Sequence, residues 1–314
     1  FLPSVVEHSR YELWMIDNAS TDASLNYVKE NFPALQLISL DNNYGFTGGY
    51  NLGLEQLKGQ YEYLILLNTD VEVTPGWDQR LVDFLANHPD YAAVQPKILS
   101  WKDRAYFDYA GAGGGFVDGL GYPYCRGRIW NHLEQDAGQY DDTLQVDWAS
   151  GACLAIKATD FYAHQGFDAS FFAHMEEIDL CWRLRKSGRK IGYLGSAVVY
   201  HQGGATLDRA SSQKLYLNCR NSLSMLYKNM GVIRFVAIFL AKGFFEGLAA
   251  IDYLRKGEGK FAKAILRAYG DFLGSKKDKS KPAEANLPEV GGSGPVGVIF
   301  LYFLLLGKRK FTDL

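Results

Sequence analysis

The segment Leu64-Ile65-Leu66-Leu67 runs directly into Asn68-Thr69-Asp70-Val71-Glu72. A short unbroken apolar run suits a strand covered on both faces, because neither side of its pleat meets water. Polar groups at the carboxyl end of such a strand stand in the crevice where open α/β sheets bind ligands. An oxygen-rich cluster there suits a hard divalent cation that also holds a phosphate. The plainer reading is a polar turn after a strand.

The flanking sequence supports a sheet of this type. Residues 11–17 read as a strand, and Ser20 or Thr21 can cap a following helix through Tyr27 and Lys29. Residues 35–40 read as a second strand, 48–57 as a helix entered through a Gly-rich turn, and 63–67 as a third strand. Residues 75–87 read as a helix and 92–96 as a short strand. Strands alternating with helices predict an α/β fold with a doubly wound, mostly parallel, Rossmann-like sheet. After Tyr106 the texture changes, and the stretch to Arg128, rich in Gly, aromatics and Arg, reads as a long irregular functional loop. Residues 146–156 read as a strand pair, 175–187 as a helix and 190–200 as a strand ending at His201.

With 314 residues, the chain has room for two domains, or for one domain with extensions. A net charge of -2 argues against a general nucleic-acid binder. Cys125, Cys153, Cys181 and Cys219 form no C-x-x-C pair and fit reduced thiols in a cytosolic protein rather than a zinc site. No signal peptide is visible. Phe1 to Val6 reads like the middle of a helix without an initiator Met, so a segment upstream is expected.

The C-terminal part differs again. Residues 231–251 are apolar apart from Arg234, Lys242 and Glu246, which fall on one side of a helix and leave a broad apolar face. Residues 276–295 read as a charged, Pro- and Gly-rich linker. Residues 296–306 are apolar, too short to span a bilayer, and followed by Gly307-Lys308-Arg309-Lys310. That pairing suits an anionic membrane surface, or a helical tail packed on its own domain or on a second subunit.

Four features fall in order along the chain: Ile16-Asp17-Asn18-Ala19-Ser20-Thr21-Asp22, Asn42-Asn43-Tyr44-Gly45-Phe46-Thr47-Gly48-Gly49-Tyr50-Asn51-Leu52-Gly53, Asn68-Thr69-Asp70, and Phe171-Phe172-Ala173-His174-Met175-Glu176-Glu177-Ile178-Asp179-Leu180 followed by His201. Together they resemble the family 2 glycosyltransferases of GT-A fold, across residues 1–225, and most closely the bacterial rhamnosyltransferase-like members that build surface polysaccharides of the cell envelope. The resemblance implies residues 1–105 as the nucleotide-sugar half and 106–225 as the acceptor and catalytic half; the apolar and basic pattern beyond it gives 226–314 as a helical, membrane-associated or subunit-contacting extension. The family's first strand lies upstream of Phe1, so this chain is expected to lack a central strand and to be unstable or inactive without it.

On the donor side, the resemblance implies that Asp17, with Asn18, contacts the nucleoside, although an Asp there also suits an Asx-turn, a role that Asp22 fits better. Gly48, Gly49 and Asn51 would line the nucleotide pocket at a helix N-terminus that favours phosphate. Asn68-Thr69-Asp70 stands at the family's D-x-D motif, with Asn in place of the first Asp. Asp70 and His201 would hold the divalent cation, Mn²⁺ or Mg²⁺, and Asn68 would meet ribose or a metal-bound water. Glu72 would lie behind them or be exposed.

Inverting transfer needs one base for the acceptor hydroxyl, and Glu177 takes that role by resemblance, with Glu176 as the alternative. The chain has Glu-Glu where the family usually has Glu-Asp. Acids at a helix start also answer the macrodipole. Asp179 shares a face with Glu176 and is placed on the acceptor side. Trp148, stacking on a sugar or lying in the core, Gly151 and Arg126 would join it, with Tyr122, Tyr124 and Arg128 nearby. Gln-x-x-Arg-Trp, the signature of processive synthases, is absent. The implied activity is transfer of a hexose, rhamnose among them, from a nucleotide-sugar donor to a saccharide or lipid-linked saccharide, in the cytoplasm or at the inner membrane face, with a homodimer as one option. A sugar nucleotidyltransferase and a non-catalytic carbohydrate-binding protein are the alternatives.

Overall fold

The computed structural model describes residues 1–203, 211–275, 294, 297–299, 302–303 and 307–314. The first part of the chain forms α1 (Leu2–His8), β1 (Trp14–Asp17), α2 (Ser24–Asn31), β2 (Gln36–Ser39), α3 (Gly45–Glu55), β3 (Tyr63–Leu67), β4 (Val71–Val73), α4 (Trp77–Asn87) and β5 (Tyr91–Ser100). There follow β6 (Gly115–Val117), β7 (Pro123–Cys125), β8 (Arg128–Ile129), β9 (His132–Leu133), β10 (Thr143–Val146), β11 (Cys153–Lys157) and α5 (Ala158–Ala163). The remainder forms α6 (Glu176–Lys186), β12 (Lys190–His201), α7 (Ser212–Asn229), α8 (Val232–Arg255) and α9 (Gly259–Gly274).

The main sheet has the order β10-β12-β5-β11-β3, with β4 added on β12. It is mixed rather than mostly parallel. β5 and β12 run parallel, while β11 is antiparallel to both β3 and β5. The reason is local: β3 leaves the sheet towards Asp70 at the same end where β11 enters from Gly151, and Asn68 N donates to Ala152 O at 3.0 Å. A strand that enters where its neighbour leaves must run the opposite way. β1 and β2 pair in parallel as a separate two-stranded sheet. α3 lies tight on β1, where a Cβ on Gly53 would stand 2.3 Å from Ile16 Cδ1.

β5 extends well past the expected 92–96. Gln95 and Lys97 are polar yet buried, because each is satisfied inside. Gln95 donates to Gly111 O and accepts from Ser150 N, and Lys97 pairs with Asp136 at 2.9 Å and with Asp141. On α4, Trp77, Leu81, Phe84 and Leu85 form one buried stripe against β5 and β12.

The expected irregular loop of residues 106–128 is instead largely built into a small antiparallel sheet, β6-β7-β8-β9. The Trp148 ring lies on Gly115, where a Cβ would stand only 2.1 Å from it, so glycine permits this closure.

α7 runs across the expected boundary at residue 225, and α8 and α9 pack on it and on each other. Lys242 and Glu246, expected on one side of a helix opposite a broad apolar face, point inwards on α8. Lys242 is 1% exposed, lies 3.2 Å from Glu246 and sits 3.3 Å from the Tyr122 ring centroid. In the 296–306 segment, residues 296, 300–301 and 304–306 lie outside the described residues. Its described neighbours pack on the chain itself: Ile299 N donates to Asp118 Oδ2, Phe303 stacks on Trp130, and Phe311 stacks on Phe116. No helix among the described residues is long and apolar enough to cross a membrane.

Candidate active site

β5, β12 and β3 bring their carboxyl ends to one edge of the sheet. His201, the last residue of β12, pairs with Val71 of β4 and with Ser100 at the end of β5. Gln202 N donates to Asp70 O at 3.0 Å, which locks the Asn68-Thr69-Asp70 turn against the end of β12. His201 Nε2 then lies 3.3 Å from Asp70 Oδ1, and its Nδ1 lies 3.2 Å from Oδ2 of the buried Asp108.

Two carboxylates thus face one imidazole. Burial alone pushes His201 down, but hydrogen bonds to Asp108 and Asp70 and their charge outweigh it and raise the pKa to about 9. Burial likewise pushes Asp70 up, and His201 more than reverses that, holding the carboxyl below its usual range. The donor set fits a divalent cation: Nδ1 is fixed by a carboxylate behind it, and Nε2 and an Asp70 oxygen share one space. Among the described residues no third His, Cys, Asp or Glu completes a closed metal cluster. A cation here would therefore draw further oxygens from a substrate or from water, the usual style for Mg²⁺ or Mn²⁺ on phosphates. Asp108 had no sequence signal, since nothing local marks it within Tyr106-Phe107-Asp108-Tyr109. Glu72 takes no part, because it accepts from Trp101 Nε1 at 2.9 Å and Arg104 Nη2 at 2.7 Å.

A second acidic group opens α6. Glu176 and Glu177 each carry a buried Oε2 without a hydrogen-bond partner in the structure. Burial raises Glu177 to about 7, and burial together with the neighbouring Glu177 charge raises Glu176 well above the carboxylate range. The backbone that presents them is strained. Phe172, His174 and Met175 all have positive φ, at 64°, 71° and 72°. Asn221 of α7 holds this loop by donating to the carbonyls of Phe171, Ala173 and His174, and Arg220 donates to those of Ser170 and Phe171. Neither residue was visible as functional in the sequence, because their partners lie about fifty positions away.

Gly151 connects the two acidic groups. A Cβ there would stand 3.8 Å from Glu177 Cβ and 3.4 Å from Phe46 Cζ, and the next residue, Ala152, accepts from Asn68 N. Glu177 and Asp70 therefore lie on the same edge of the sheet, separated by the Gly151 turn and not by the body of the domain.

Several expected donor contacts prove to be structural. Asn51 exchanges two hydrogen bonds with the backbone of Phe167, at 2.7 and 3.0 Å, so its amide is occupied. Asn18 donates to Gly45 O and accepts from Tyr44 N, clamping the Gly-rich turn. The helix starts at Gly45, earlier than expected, which places Gly48 and Gly49 within it. They give close packing, with Cβ positions that would stand 2.7 Å from Tyr44 Cβ and 3.0 Å from Asn18 Nδ2. Two N-terminal amides of α3 are already paired, Gly45 N with Asn43 Oδ1 and Thr47 N with Phe172 O. Asp17 ends β1, and its Oδ1 accepts from Ser20 N, so it forms a turn as Asp22 does with Ser24. The side chain of Asn68 is half-buried beside Asp70.

The acceptor-side expectations are corrected more strongly. Trp148 is buried, with Nε1 donating to Phe116 O at 2.9 Å, so its ring is core and cannot stack on a sugar. Arg126 is buried between the Tyr140 and Tyr193 rings and makes a two-pronged pair with Asp142 at 2.8 and 2.9 Å. Asp179 has no exposure and is held by Arg183, Lys228 and Asn229. Tyr122, Tyr124 and Arg128 are packed within the small sheet and against α8. Trp148, Arg126, Asp179 and Tyr122 each found an internal partner that is distant in sequence, which local patterning does not reveal.

The Glycosyl transferase family 2 model matches residues 2–156. The chain is 26% identical over 215 residues to the N-acetylglucosaminyl-diphospho-decaprenol L-rhamnosyltransferase of Mycobacterium tuberculosis, covering 64% of this chain and 69% of that protein. It is 24% identical to the low-salt glycan biosynthesis hexosyltransferase Agl10 of Haloferax volcanii, covering 72% of each. It is also 22% identical to the rhamnosyltransferase WbbL of Escherichia coli, covering 62% of this chain and 74% of that protein. Among solved structures, GalNAc-T7 with UDP, GalNAc and Mn²⁺ superposes with a TM-score of 0.56 at 12% identity, over 90% of this chain and 54% of that one. The mannosyltransferase PcManGT from Pyrobaculum calidifontis, in complex with GDP-Man and Mn²⁺, gives 0.51 at 14% identity, over 88% and 82%. The architecture is that of the GT-A fold, with a helical C-terminal region.

Proposed function

Given that this chain carries a family 2 glycosyltransferase domain and is a glycosyltransferase, we propose that it moves a hexose, rhamnose foremost, from a nucleoside-diphosphate donor to a saccharide or lipid-linked saccharide with inversion. The observation that carries this reading is the Glu177 carboxyl, whose Oε2 is buried without a hydrogen-bond partner, raised to about 7 and set beside Gly151 on the Asp70 edge of the sheet. A base near neutrality takes a hydroxyl proton well, because its ionised form is populated and still basic. In the proposed step, Glu177 takes the acceptor proton, the acceptor oxygen bonds to the anomeric carbon, and the bond to the diphosphate oxygen breaks. Glu176, held protonated by burial and by the neighbouring Glu177 charge, stays neutral, which leaves Glu177 as the carboxyl of the pair that ionises.

Asp70 and His201 would hold a divalent cation, Mn²⁺ or Mg²⁺, which supplies charge neutralisation for the departing diphosphate. The Mn²⁺ named with both superposed structures supports that choice, as does the carboxylate behind His201. The lipid-linked saccharide acceptor is proposed from the diphospho-decaprenol in one relative's name, and a role in surface polysaccharide synthesis and a place on the cytoplasmic side of the membrane belong to the same proposal. Residues 1–105 would take the donor and 106–225 the acceptor.

The test uses Glu177→Gln and Asp70→Ala. The first is expected to abolish transfer while keeping donor binding, and the second to weaken Mn²⁺-dependent binding of donor nucleotide, read by calorimetry. Normal turnover in Glu177→Gln refutes the base assignment.

A further inference from the structure

α8 is inverted with respect to an ordinary surface helix. Its charged pair, Lys242 and Glu246, faces inwards, and its outward face is apolar from end to end. Ile233 is 89% exposed, Leu240 66% and Phe244 62%, and Val236, Leu248, Ile251 and Leu254 are exposed on the same side. At 100° per residue these seven side chains fall within a sector of about 120°, about 30 Å long. A stripe of this size in water is costly and marks an interaction surface.

α9 widens the stripe. A Cβ on Gly243 would stand 3.7 Å from Tyr269 Cε1, and one on Gly259 would stand 3.9 Å from Leu254 Cδ2, so α9 returns antiparallel along one flank of α8. Leu266 and Leu273, both exposed, share one face of α9, within about 60° of Tyr269, which meets α8. The hairpin is also basic. Residues 232–274 carry seven Lys or Arg against four Asp or Glu, in a chain whose net charge is -2. Arg255, Lys256, Lys260, Lys263 and Arg267 gather at the turn end, and all are exposed. Lys263 is one turn from Leu266 and therefore on the rim of the apolar face. Lys260, Lys263 and Arg267 also line a groove of about 200 Å³ between α9 and the start of α7.

The geometry points to the α8–α9 hairpin as the element that docks this protein flat on an anionic lipid bilayer, with the leucine-rich face among the acyl chains and the basic rim on lipid phosphates. Charge selects this occupant. A second copy would bring the same positive rim against the first, whereas an anionic headgroup layer complements it. In the apolar segment 296–306, the sequence's own candidate for this role, the described Ile299 and Phe303 pack on the chain itself. The inference does not depend on the transfer chemistry, since lipid binding needs neither donor nor base.

The test is co-sedimentation of the full chain with vesicles of phosphatidylcholine alone and with added phosphatidylglycerol. Wild type is expected to bind the anionic vesicles and to be released by salt. Leu240→Asp with Phe244→Asp is expected to lower the partition coefficient by at least about a hundredfold, since each buried side chain is worth roughly tenfold or more. Lys260→Glu with Lys263→Glu is expected to abolish the preference for anionic lipid. Unchanged far-ultraviolet circular dichroism in both pairs shows that the fold is kept. Wild type that binds neither vesicle overturns the inference, as does a wild-type dimer that ignores vesicles and becomes monomeric in the Leu240→Asp, Phe244→Asp pair.

Discussion

Asp179→Ala separates a structural carboxylate from a substrate-binding one. Asp179 is wholly buried on α6, next to Glu176 and Glu177 in sequence. Its oxygens accept from Arg183 Nε at 2.8 Å, from Lys228 Nζ at 3.1 and 3.2 Å, and from Asn229 Nδ2 at 2.9 Å. Removing one partner of a buried ion pair costs about 3–5 kcal/mol, because it leaves the other charge uncompensated. Here Arg183 keeps the carbonyls of His164 and Gly166, and Lys228 keeps Asp168. That places the expected loss at the lower end, about 3 kcal/mol. For a chain of 314 residues the melting midpoint then falls by roughly 4–5 °C. Thermal and denaturant melts of the purified variant measure the loss, and acceptor KM on the folded fraction measures any binding role. An unchanged midpoint with a raised acceptor KM would refute the structural assignment and return Asp179 to the acceptor site.

Four further outcomes follow from the same geometry. The rate kcat/KM rises with pH on the acid side with an apparent pKa near 7, since burial raises Glu177 to about 7 and the base must be ionised; a profile flat from about pH 5 to 8 contradicts this. Because Glu176 and Glu177 are both raised, the folded chain holds protons that the unfolded chain has released. Their contribution to stability therefore falls as pH rises from about 4.5 through 7, and Glu177→Gln reduces that slope in pH-dependent melts. Gly45→Ala costs about 1–3 kcal/mol, because φ is +70° and the new Cβ would stand 2.7 Å from the Phe172 carbonyl oxygen. The resulting shift of the loop before Glu176 also lowers kcat. Trp148→Phe leaves the Phe116 carbonyl without its donor and costs about 1–2 kcal/mol, with acceptor KM unchanged, as steady-state kinetics at several acceptor concentrations will show.

The features legible in the sequence were those carried by local periodicity. The buried strand before Asn68, the helix opening at Glu176 and the strand ending at His201 were all placed within a residue or two, because each follows from its own apolar pattern. The small β6–β9 sheet was read as an irregular loop, since its strands are two or three residues long and depend on Trp148 closing over Gly115. The antiparallel insertion of β11 was equally hidden, because a strand's direction is set by where its neighbours end.

Residue types and their order determined that an amide-and-carboxylate turn, a paired-glutamate helix and a late histidine belong to one α/β chain. Which polar side chains remain available was decided by tertiary contacts alone. Asn51, Arg126 and Asp179 look as suited to a ligand as Asp70 and Glu177 do, but folding brings each of the three a partner from a distant segment, Phe167, Asp142 and Asn229. A buried polar group takes whatever partner the fold supplies, and only those left beside an opening can act on a substrate.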